Sequence, residues 1–219
     1  MWVLEQRILA EVLQTHFKSR EEIRCLDFAC GTGRLTQFIE PQVGASTAVD
    51  ISAPMLAVAA GKLRRTHLIQ ADLTTNNILA GQRFNLITAF RFFANAEPEL
   101  RRTVMAVLAD LLDSEGCLIF NNHHNLTSPY MLLSRILDDP LANTQRLRYM
   151  SRHDMRRLAE GAGLKIVDLF HTTVLFPRMT RLLGDPRTEA IEAALAKQPW
   201  MTAFSDNVIA VCQRRRRAR

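Results

Sequence analysis

Two hydrophobic rhythms alternate along this chain: short unbroken apolar runs, and longer runs in which apolar residues recur every three or four positions. Leu4, Ile8, Val12 and Leu13 fall at helical spacing within 3–17, which predicts an amphipathic helix lying across a sheet. Residues 23–28 form a short apolar run of the kind shown by a strand buried on both faces. The chain then breaks into Ala29, Cys30, Gly31, Thr32 and Gly33 and resumes a helix-like pattern over 34–39. A second strand is predicted over 45–51, followed by a helix for which Ser52 supplies a cap and Pro54 an early proline. Residues 67–71 and 84–90 read as the third and fourth strands. Over 95–112, Leu100, Val104, Val107, Leu108 and Leu111 share one helical face, with Pro98 in the first turn. Residues 116–121, 164–170 and 207–212 predict three more strands. Ser151 and Asp154 have capping-box spacing, and Gly161 and Gly163 close the helix between the fifth and sixth strands.

Strand and helix alternate through the first two-thirds of the chain, the order that a parallel, doubly wound sheet requires. Two segments stand outside the alternation. Residues 125–150 hold a short helix pattern (Ser128, Pro129, then 130–137) and a basic run at 146–149; residues 176–205 hold an Asp185-Pro186 helix start and end near Trp200. Both follow strands on the carboxyl side of the sheet, where such folds bind ligands, and long insertions there commonly cover a substrate. Tyr130, Arg135, Arg148 and Trp200 are lid candidates, with packing or surface roles as the alternative.

Composition narrows the picture in three ways. With 219 residues, 47% of them hydrophobic, the chain suits one domain with a full core, expected over 1–213, followed by a basic tail at 214–219. No apolar run approaches the ~18 residues of a membrane span, and no signal-peptide pattern opens the sequence. Cys25, Cys30, Cys117 and Cys212 show no Cys-x-x-Cys spacing, so a reduced, cytoplasmic setting is expected. The net charge of +6 is concentrated in Arg214, Arg215, Arg216, Arg217 and Arg219; subtracting those five leaves +1 for the rest. A basic groove is therefore not implied and a nucleic-acid partner is not expected, although a basic tail can touch phosphates or an acidic surface.

The chemistry gathers at the break after the first strand. A buried strand, a tight glycine turn and a helix make the nucleotide-binding corner of an open α/β sheet, where small residues let the backbone approach a ligand. A dinucleotide fingerprint asks for Gly-x-Gly-x-x-Gly/Ala; counting from Gly31, its last position is Thr36, and the match fails. Asp50, ending the second strand, can accept hydrogen bonds from both ribose hydroxyls of either kind of cofactor. Asp72, ending the third, is placed to accept a bond from an adenine amino group, with a turn-forming aspartate as the alternative.

On these residues the chain resembles the class I S-adenosylmethionine-dependent methyltransferases. Leu26-Asp27-Phe28-Ala29-Cys30-Gly31-Thr32-Gly33 is similar to that family's first motif, Val49-Asp50-Ile51-Ser52-Ala53-Pro54-Met55 to its ribose-binding strand end, and Gln70-Ala71-Asp72-Leu73 to its adenine-contacting turn. Residues 84–90, 116–121 and 159–167 resemble its fourth, fifth and sixth strand regions. The resemblance implies a Rossmann-like, doubly wound seven-stranded sheet, mostly parallel with the last strand antiparallel, carrying helical lid insertions. It also implies S-adenosylmethionine as cofactor, with S-adenosylhomocysteine as product. Asp27, Ala29, Cys30, Gly31 and Gly33 would line the methionine and ribose side, Asp50, Ile51 and Met55 the ribose and adenine, and Asp72 and Leu73 the adenine edge. Ala89, Phe90 and Arg91 would form the floor. Ala29 replaces the motif's first glycine, which is expected to be tolerated with φ below zero. Family members also often carry a further N-terminal element that closes over the cofactor; the segment before the first strand is short here.

Methyl transfer is an in-line displacement on an activated sulfonium, so orientation and exclusion of water dominate, and a base is needed only where the acceptor holds a proton. His123 or His124 is the candidate base, with capping of the strand end as the alternative; adjacent strand residues point opposite ways, so one of them at most faces the site. Arg91, Asn121, Asn125 and Tyr130 are candidate substrate contacts, Arg91 for an acidic group or for a structural carboxylate. After the fourth strand the sequence reads Arg91-Phe92-Phe93-Ala94, without the Asn/Asp-Pro-Pro-Tyr/Phe of amino-methylating enzymes of adenine and glutamine or the Pro-Cys of cytosine C5 enzymes. No metal-ligand spacing stands out, so no metal is expected. The expected activity is methyl transfer to a small molecule, oxygen ahead of nitrogen. The alternatives are an RNA or protein methyltransferase using the arginine tail, a binding protein without catalysis, or a nicotinamide-dependent protein of Rossmann type.

Overall fold

Apolar strand segments that bury both faces require cover on both sides, and the architecture of this computed structural model supplies it. The structure describes residues 2–123, 125, 150–172, 191, 205 and 207–215. Most of both expected lid segments, with Tyr130, Arg135, Arg148 and Trp200, lies outside the described residues, as do His124 and the tail beyond Arg215. Seven strands, β1 (Arg24–Phe28), β2 (Ala45–Asp50), β3 (His67–Gln70), β4 (Phe84–Ala89), β5 (Leu112–His123), β6 (Leu164–Thr172) and β7 (Asn207–Arg214), form one sheet in the order β3-β2-β1-β4-β5-β7-β6. The first five pair in parallel, and β7 runs antiparallel between β5 and β6. This is the expected doubly wound sheet with its last strand reversed.

Period-two alternation sends successive strand residues to opposite faces. On one face, α1 (Trp2–His16) buries Ile8, Leu9, Val12 and Leu13 with Leu35 and Ile39 of α2 (Arg34–Ile39) over Cys25, Leu86, Cys117 and Ile119. On the other, α4 (Pro98–Leu111) and α5 (Arg152–Gly161) bury Val104, Met105, Leu108, Met155 and Ala159 over Leu26, Ile87, Leu118 and Phe120. Between them in sequence, α3 (Ala53–Ala60) packs on β2 and β3, capped by the Ser52 hydroxyl as expected. Four rings run edge to face through the second layer, Phe28–Phe92–Phe93–Phe120, at centroid distances of 5.0, 5.3 and 5.1 Å. Such pairs contribute about 0.5–1.5 kcal/mol each beyond their burial, and they brace the ends of β1, β4 and β5 against one another.

Boundaries differ from expectation where polar residues masked regular structure. β5 begins at Leu112 rather than at residue 116, because Leu112 ends α4 in extended geometry (φ −73°, ψ 134°) and pairs at once with Phe84. The polar stretch Asp113-Ser114-Glu115 hid that start. A 3-10 turn, Glu40–Gln42, prolongs α2, and α4 starts at Pro98, three residues later than the periodicity indicated.

The arginine run is partly structural. Arg214 Nη2 and Nε donate to the carbonyls of Ala109 and Leu112, at 2.5 and 3.1 Å, capping the carbonyl end of α4. The Arg215 backbone bonds Gly163 O, and its side chain pairs with Glu160 at 2.8 Å. Because β7 is antiparallel, these residues lie at the amino end of the parallel strands, opposite the ligand side. No helix among the described residues is long and apolar enough to cross a membrane.

One carboxylate organises the approach to β3. Glu40 accepts bonds from the backbone N–H groups of Arg64, Arg65 and Thr66 and from the Thr66 hydroxyl, at 3.0, 2.7, 2.8 and 2.8 Å. Burial pushes its carboxyl up, but these donors outweigh that and hold it below the usual value. Glu40→Ala strands three amides at once and is expected to lower the unfolding free energy by about 2–3 kcal/mol. Urea denaturation with an unchanged midpoint would contradict that role.

Candidate functional site

Every other residue from 29 to 33 is left-handed: Ala29 at φ 54°, Gly31 at 55° and Gly33 at 72°. This zigzag turns the chain from β1 into α2 within one short loop, and its amides are taken up by the fold, Cys30 N–H by Val49 O at 3.1 Å and Gly33 N–H by Cys30 O at 3.0 Å. Gly33 is needed twice over, since a Cβ there would also press to 3.1 Å on Ala59 and Leu63. At Gly31 a Cβ would meet only Met55 Sδ at 3.6 Å, so glycine serves there for conformation and for an open crevice. Ala29 contradicts expectation: it does not keep φ below zero. A non-glycine residue in this region carries strain of order 1–2 kcal/mol, the sort of local cost that structures concentrate at functional sites.

Beneath the turn lies Asp27, 2% exposed. Its two oxygens accept from Thr36 Oγ1 at 2.5 Å and Thr88 Oγ1 at 2.8 Å, so the threonine that broke the dinucleotide fingerprint serves to hold this carboxylate. Burial pushes Asp27 up to about 6, against the lowering pull of the two hydroxyls, and the Asp50 charge adds to the rise. Cys30 is half-buried; desolvation and the same two carboxylates raise its thiol to about 12, which keeps it protonated and no nucleophile.

At the end of β2, Asp50 Oδ2 accepts from Gly31 N at 2.7 Å and Oδ1 from Ser52 N at 2.9 Å. Each oxygen retains a lone pair for a further donor. Ile51 and Met55 flank this carboxylate and are 69% and 47% exposed, an apolar shelf that a flat ring would cover. Asp72, exposed after β3, accepts from the Thr74 backbone and hydroxyl through Oδ1, bonds that lower its pKa and fix the turn while Oδ2 stays outside them. Leu73 is buried beside it. The open turn at Gly31, the Asp50 carboxylate and the exposed shelf together fit an adenine nucleoside.

On the other side of the turn, Phe90 is buried under α1 and α2, and Arg91 follows in left-handed geometry, φ 60°. Two asparagines clamp Arg91: its N–H donates to Asn121 Oδ1 at 2.6 Å and its carbonyl accepts from Asn95 Nδ2 at 2.7 Å. The exposed guanidinium has no ion-pair partner among the described residues. Asn121 is itself buried and donates onward to Asn207 Oδ1 at 3.3 Å. Asn125 is buried too and donates to Ser205 O at 3.1 Å. Both therefore frame the strand ends. His123, half-buried, ends β5 opposite Asn207. Asn122 is fully buried; its Nδ2 donates to Met150 O and its Oδ1 has no hydrogen-bond partner among the described residues.

Sequence reasoning passed over Thr36 and Thr88 as ligands of Asp27, the Asn95 and Asn207 clamps, and Glu5, a carboxylate fully buried on the apolar stripe of α1. Of these, Glu5 carried a readable signal, since it precedes Ile8, Leu9 and Val12 at helical spacing. A groove of about 470 Å³ between α4 and α5, lined by Arg101, Arg157 and Leu158, includes no strand end and lies apart from the glycine turn. Among the described residues, no group of three or more His, Cys, Asp or Glu is placed to hold a metal.

Comparison with known proteins agrees with this geometry. Residues 25–116 match the sequence profile of a family described as "Methyltransferase domain". Over 82 residues the chain is 34% identical to malonyl-[acyl-carrier protein] O-methyltransferase of Enterobacter lignolyticus (strain SCF1). That match spans 37% of this chain and 32%, about a third, of the relative. Among solved structures, magnesium protoporphyrin IX methyltransferase from Synechocystis PCC 6803 with bound SAH superposes with a TM-score of 0.65 at 16% identity, covering 97% of this chain and 84% of that one. A SAM-dependent methyltransferase from Archaeoglobus fulgidus gives 0.65 at 15% identity, covering 96% and 93%. At such identities these two show a shared fold.

The raised pKa of Asp27 has a testable sign. The folded state binds this proton more tightly than the unfolded chain, whose value is 3.8, so stability falls as pH rises from about 4 through about 6. A difference of about two pKa units corresponds to roughly 3 kcal/mol. Asp27→Asn removes the titration, so its stability relative to wild type should improve by up to that amount between about pH 4 and about pH 7 in urea melts. A mutant-minus-wild-type difference independent of pH would refute the assignment.

Proposed function

We propose that this chain, whose residues 25–116 match a family described as "Methyltransferase domain" and whose fold is shared with solved S-adenosylmethionine-dependent methyltransferases, methylates a small acidic molecule, on oxygen in preference to nitrogen. The observation carrying this reading is the juxtaposition of an open crevice at Gly31 and Asp50 with an exposed guanidinium, without an ion pair among the described residues, held at the neighbouring strand end. The Enterobacter relative is named for O-methylation of a malonyl group on a carrier protein, which supports oxygen as acceptor.

When bound, S-adenosylmethionine supplies a methyl group already activated on a sulfonium. The chain's own task is positioning. Asp50 accepts the ribose hydroxyls, Ile51 and Met55 cover the adenine face, and Asp72 with the backbone at Leu73 meets the adenine edge. The left-handed turn from Ala29 to Gly33 keeps side chains out of the way on the amino-acid side. Arg91 binds the acidic group of the acceptor, and its backbone, fixed by Asn95 and Asn121, sets where that acceptor lies. His123 takes the proton of a hydroxyl acceptor; a carboxylate acceptor needs no base. Effective positioning of this kind accounts for up to roughly 7–11 kcal/mol of a bimolecular barrier, enough to carry most of the acceleration with an activated donor. The four cysteines are free, three of them buried, in keeping with a reduced, cytoplasmic setting. With Arg214 and Arg215 built into the far edge of the sheet, nothing in the described residues directs the basic run toward the crevice.

Asp50→Ala is expected to weaken S-adenosylhomocysteine binding by about 1–3 kcal/mol in calorimetry, the loss of charge-assisted bonds to the ribose. Unchanged affinity would remove the ribose assignment. His123→Ala should leave that affinity alone and slow turnover about 10²-fold or more on hydroxyl acceptors at neutral pH, measured with labelled methyl donor; turnover equal to wild type would dismiss the base.

A further inference from the structure

We propose that Met55 is a modification site, whose oxidation to the sulfoxide by a peroxide blocks the cofactor crevice and is itself prevented by bound cofactor; this rests on the cofactor reading above. A Cβ at Gly31 would meet Met55 Sδ at 3.6 Å, and Gly31 is the residue whose amide Asp50 holds at 2.7 Å. The turn, the carboxylate and the apolar shelf therefore meet beside one thioether. Its backbone is fixed there, since Met55 N–H donates to the Ser52 hydroxyl that caps α3, at 3.4 Å. The side chain is 47% exposed, whereas Met105, Met150 and Met155 are buried to 1% or less. Among the described methionines, Met55 alone is open to a dissolved oxidant.

The cysteines do not compete for that oxidant. Cys25, Cys117 and Cys212 are buried, and half-buried Cys30 is held protonated by desolvation and by the Asp27 and Asp50 charges. Peroxides attack the thiolate, which none of these supplies near neutral pH. A thioether needs no deprotonation. The Sδ lone pair takes one oxygen of hydrogen peroxide as the O–O bond breaks; a proton shifts to the other oxygen, which leaves as water. The sulfide is oxidised by two electrons and the peroxide reduced by two. The product carries a polar S=O acceptor with no hydrogen to donate, so the neighbouring Asp50 carboxylate offers it no partner. A flat ring laid over the shelf strips that oxygen of water, which costs binding. Thioether sulfur, in contrast, favours contact with an aromatic ring. The same ring covers the sulfur once bound, so occupancy and oxidation oppose each other.

Calorimetry paired with peptide mass mapping tests this on the full chain, before and after hydrogen peroxide. The probe is sinefungin, an S-adenosylmethionine analogue with no sulfur to consume the oxidant. In wild type, oxygen uptake at Met55 should weaken binding by about 10-fold or more, the cost of covering a polar oxygen. Methionine sulfoxide reductases should restore it. Saturating sinefungin should slow Met55 oxidation, and Met55→Leu, measured against its own untreated affinity, should pass through peroxide unchanged. Equal rates of Met55 oxidation with and without sinefungin overturn the proposal without recourse to any variant, as does full Met55 oxidation with affinity intact. A Met55→Leu protein that loses affinity as wild type does also overturns it, since another sulfur is then responsible. Wild type that binds no sinefungin before treatment overturns the cofactor reading and this assignment with it.

Discussion

A single carboxylate binds two strand ends into one crevice. Asp50, at the tip of β2, takes the Gly31 amide at 2.7 Å and so pins the turn that leaves β1. Strands β1 and β2 already lie side by side through their parallel ladder, and the Cys30 amide adds a second tie, to Val49 O at 3.1 Å. Charge-assisted bonds of this type are about twice as strong as neutral ones, and this one lies half-buried, where water competes less well. The course of the turn, the place of the Ile51 and Met55 shelf beside it, and the direction of α2 all follow from it.

Around that tie the structure concentrates unfavourable features. Ala29 and Arg91 are non-glycine residues in left-handed geometry, and Asp27 is a buried carboxylate held by the Thr36 and Thr88 hydroxyls and the Thr36 backbone, with no ion pair among the described residues. Strain of order 1–3 kcal/mol per residue persists only where the surroundings over-determine it. Here the surroundings are identifiable: Asn95 and Asn121 clamp Arg91, and the four-ring stack from Phe28 to Phe120 supports the turn and the two neighbouring strand ends from beneath. The cost sits at the carboxyl ends of β1 and β4, adjacent strands that bracket the crevice. A backbone so held contributes pre-organisation, which is what transfer from an activated donor most requires.

Charge is distributed with the same division of labour. Arginines at the amino end of the sheet serve structure: Arg214 closes α4 and Arg215 pairs with Glu160. At the carboxyl end, Arg34 is paired and stacked, whereas Arg91 is exposed and unpaired among the described residues. The chain's positive balance is thus a poor guide to its partner, and the exposed Arg91 guanidinium is more informative than the basic run.

By itself the sequence determined the order of strands and helices, the glycine turn, and the two aspartates that end β2 and β3. These are local properties: periodicity, capping residues such as Ser52 and Ser151, and small residues at a break in an apolar run leave a mark within a few positions. Only the tertiary structure decided what depends on residues distant in the chain. Thr36 and Thr88 converge on Asp27, Asn207 reaches Asn121, and Arg214 caps a helix that ended over a hundred residues earlier, none of which has a spacing to read. Ala29 shows the limit most clearly. Its conformation is dictated by the turn that joins β1 to α2, so a residue whose own preference is negative φ takes a positive one because the strands on either side leave it no alternative.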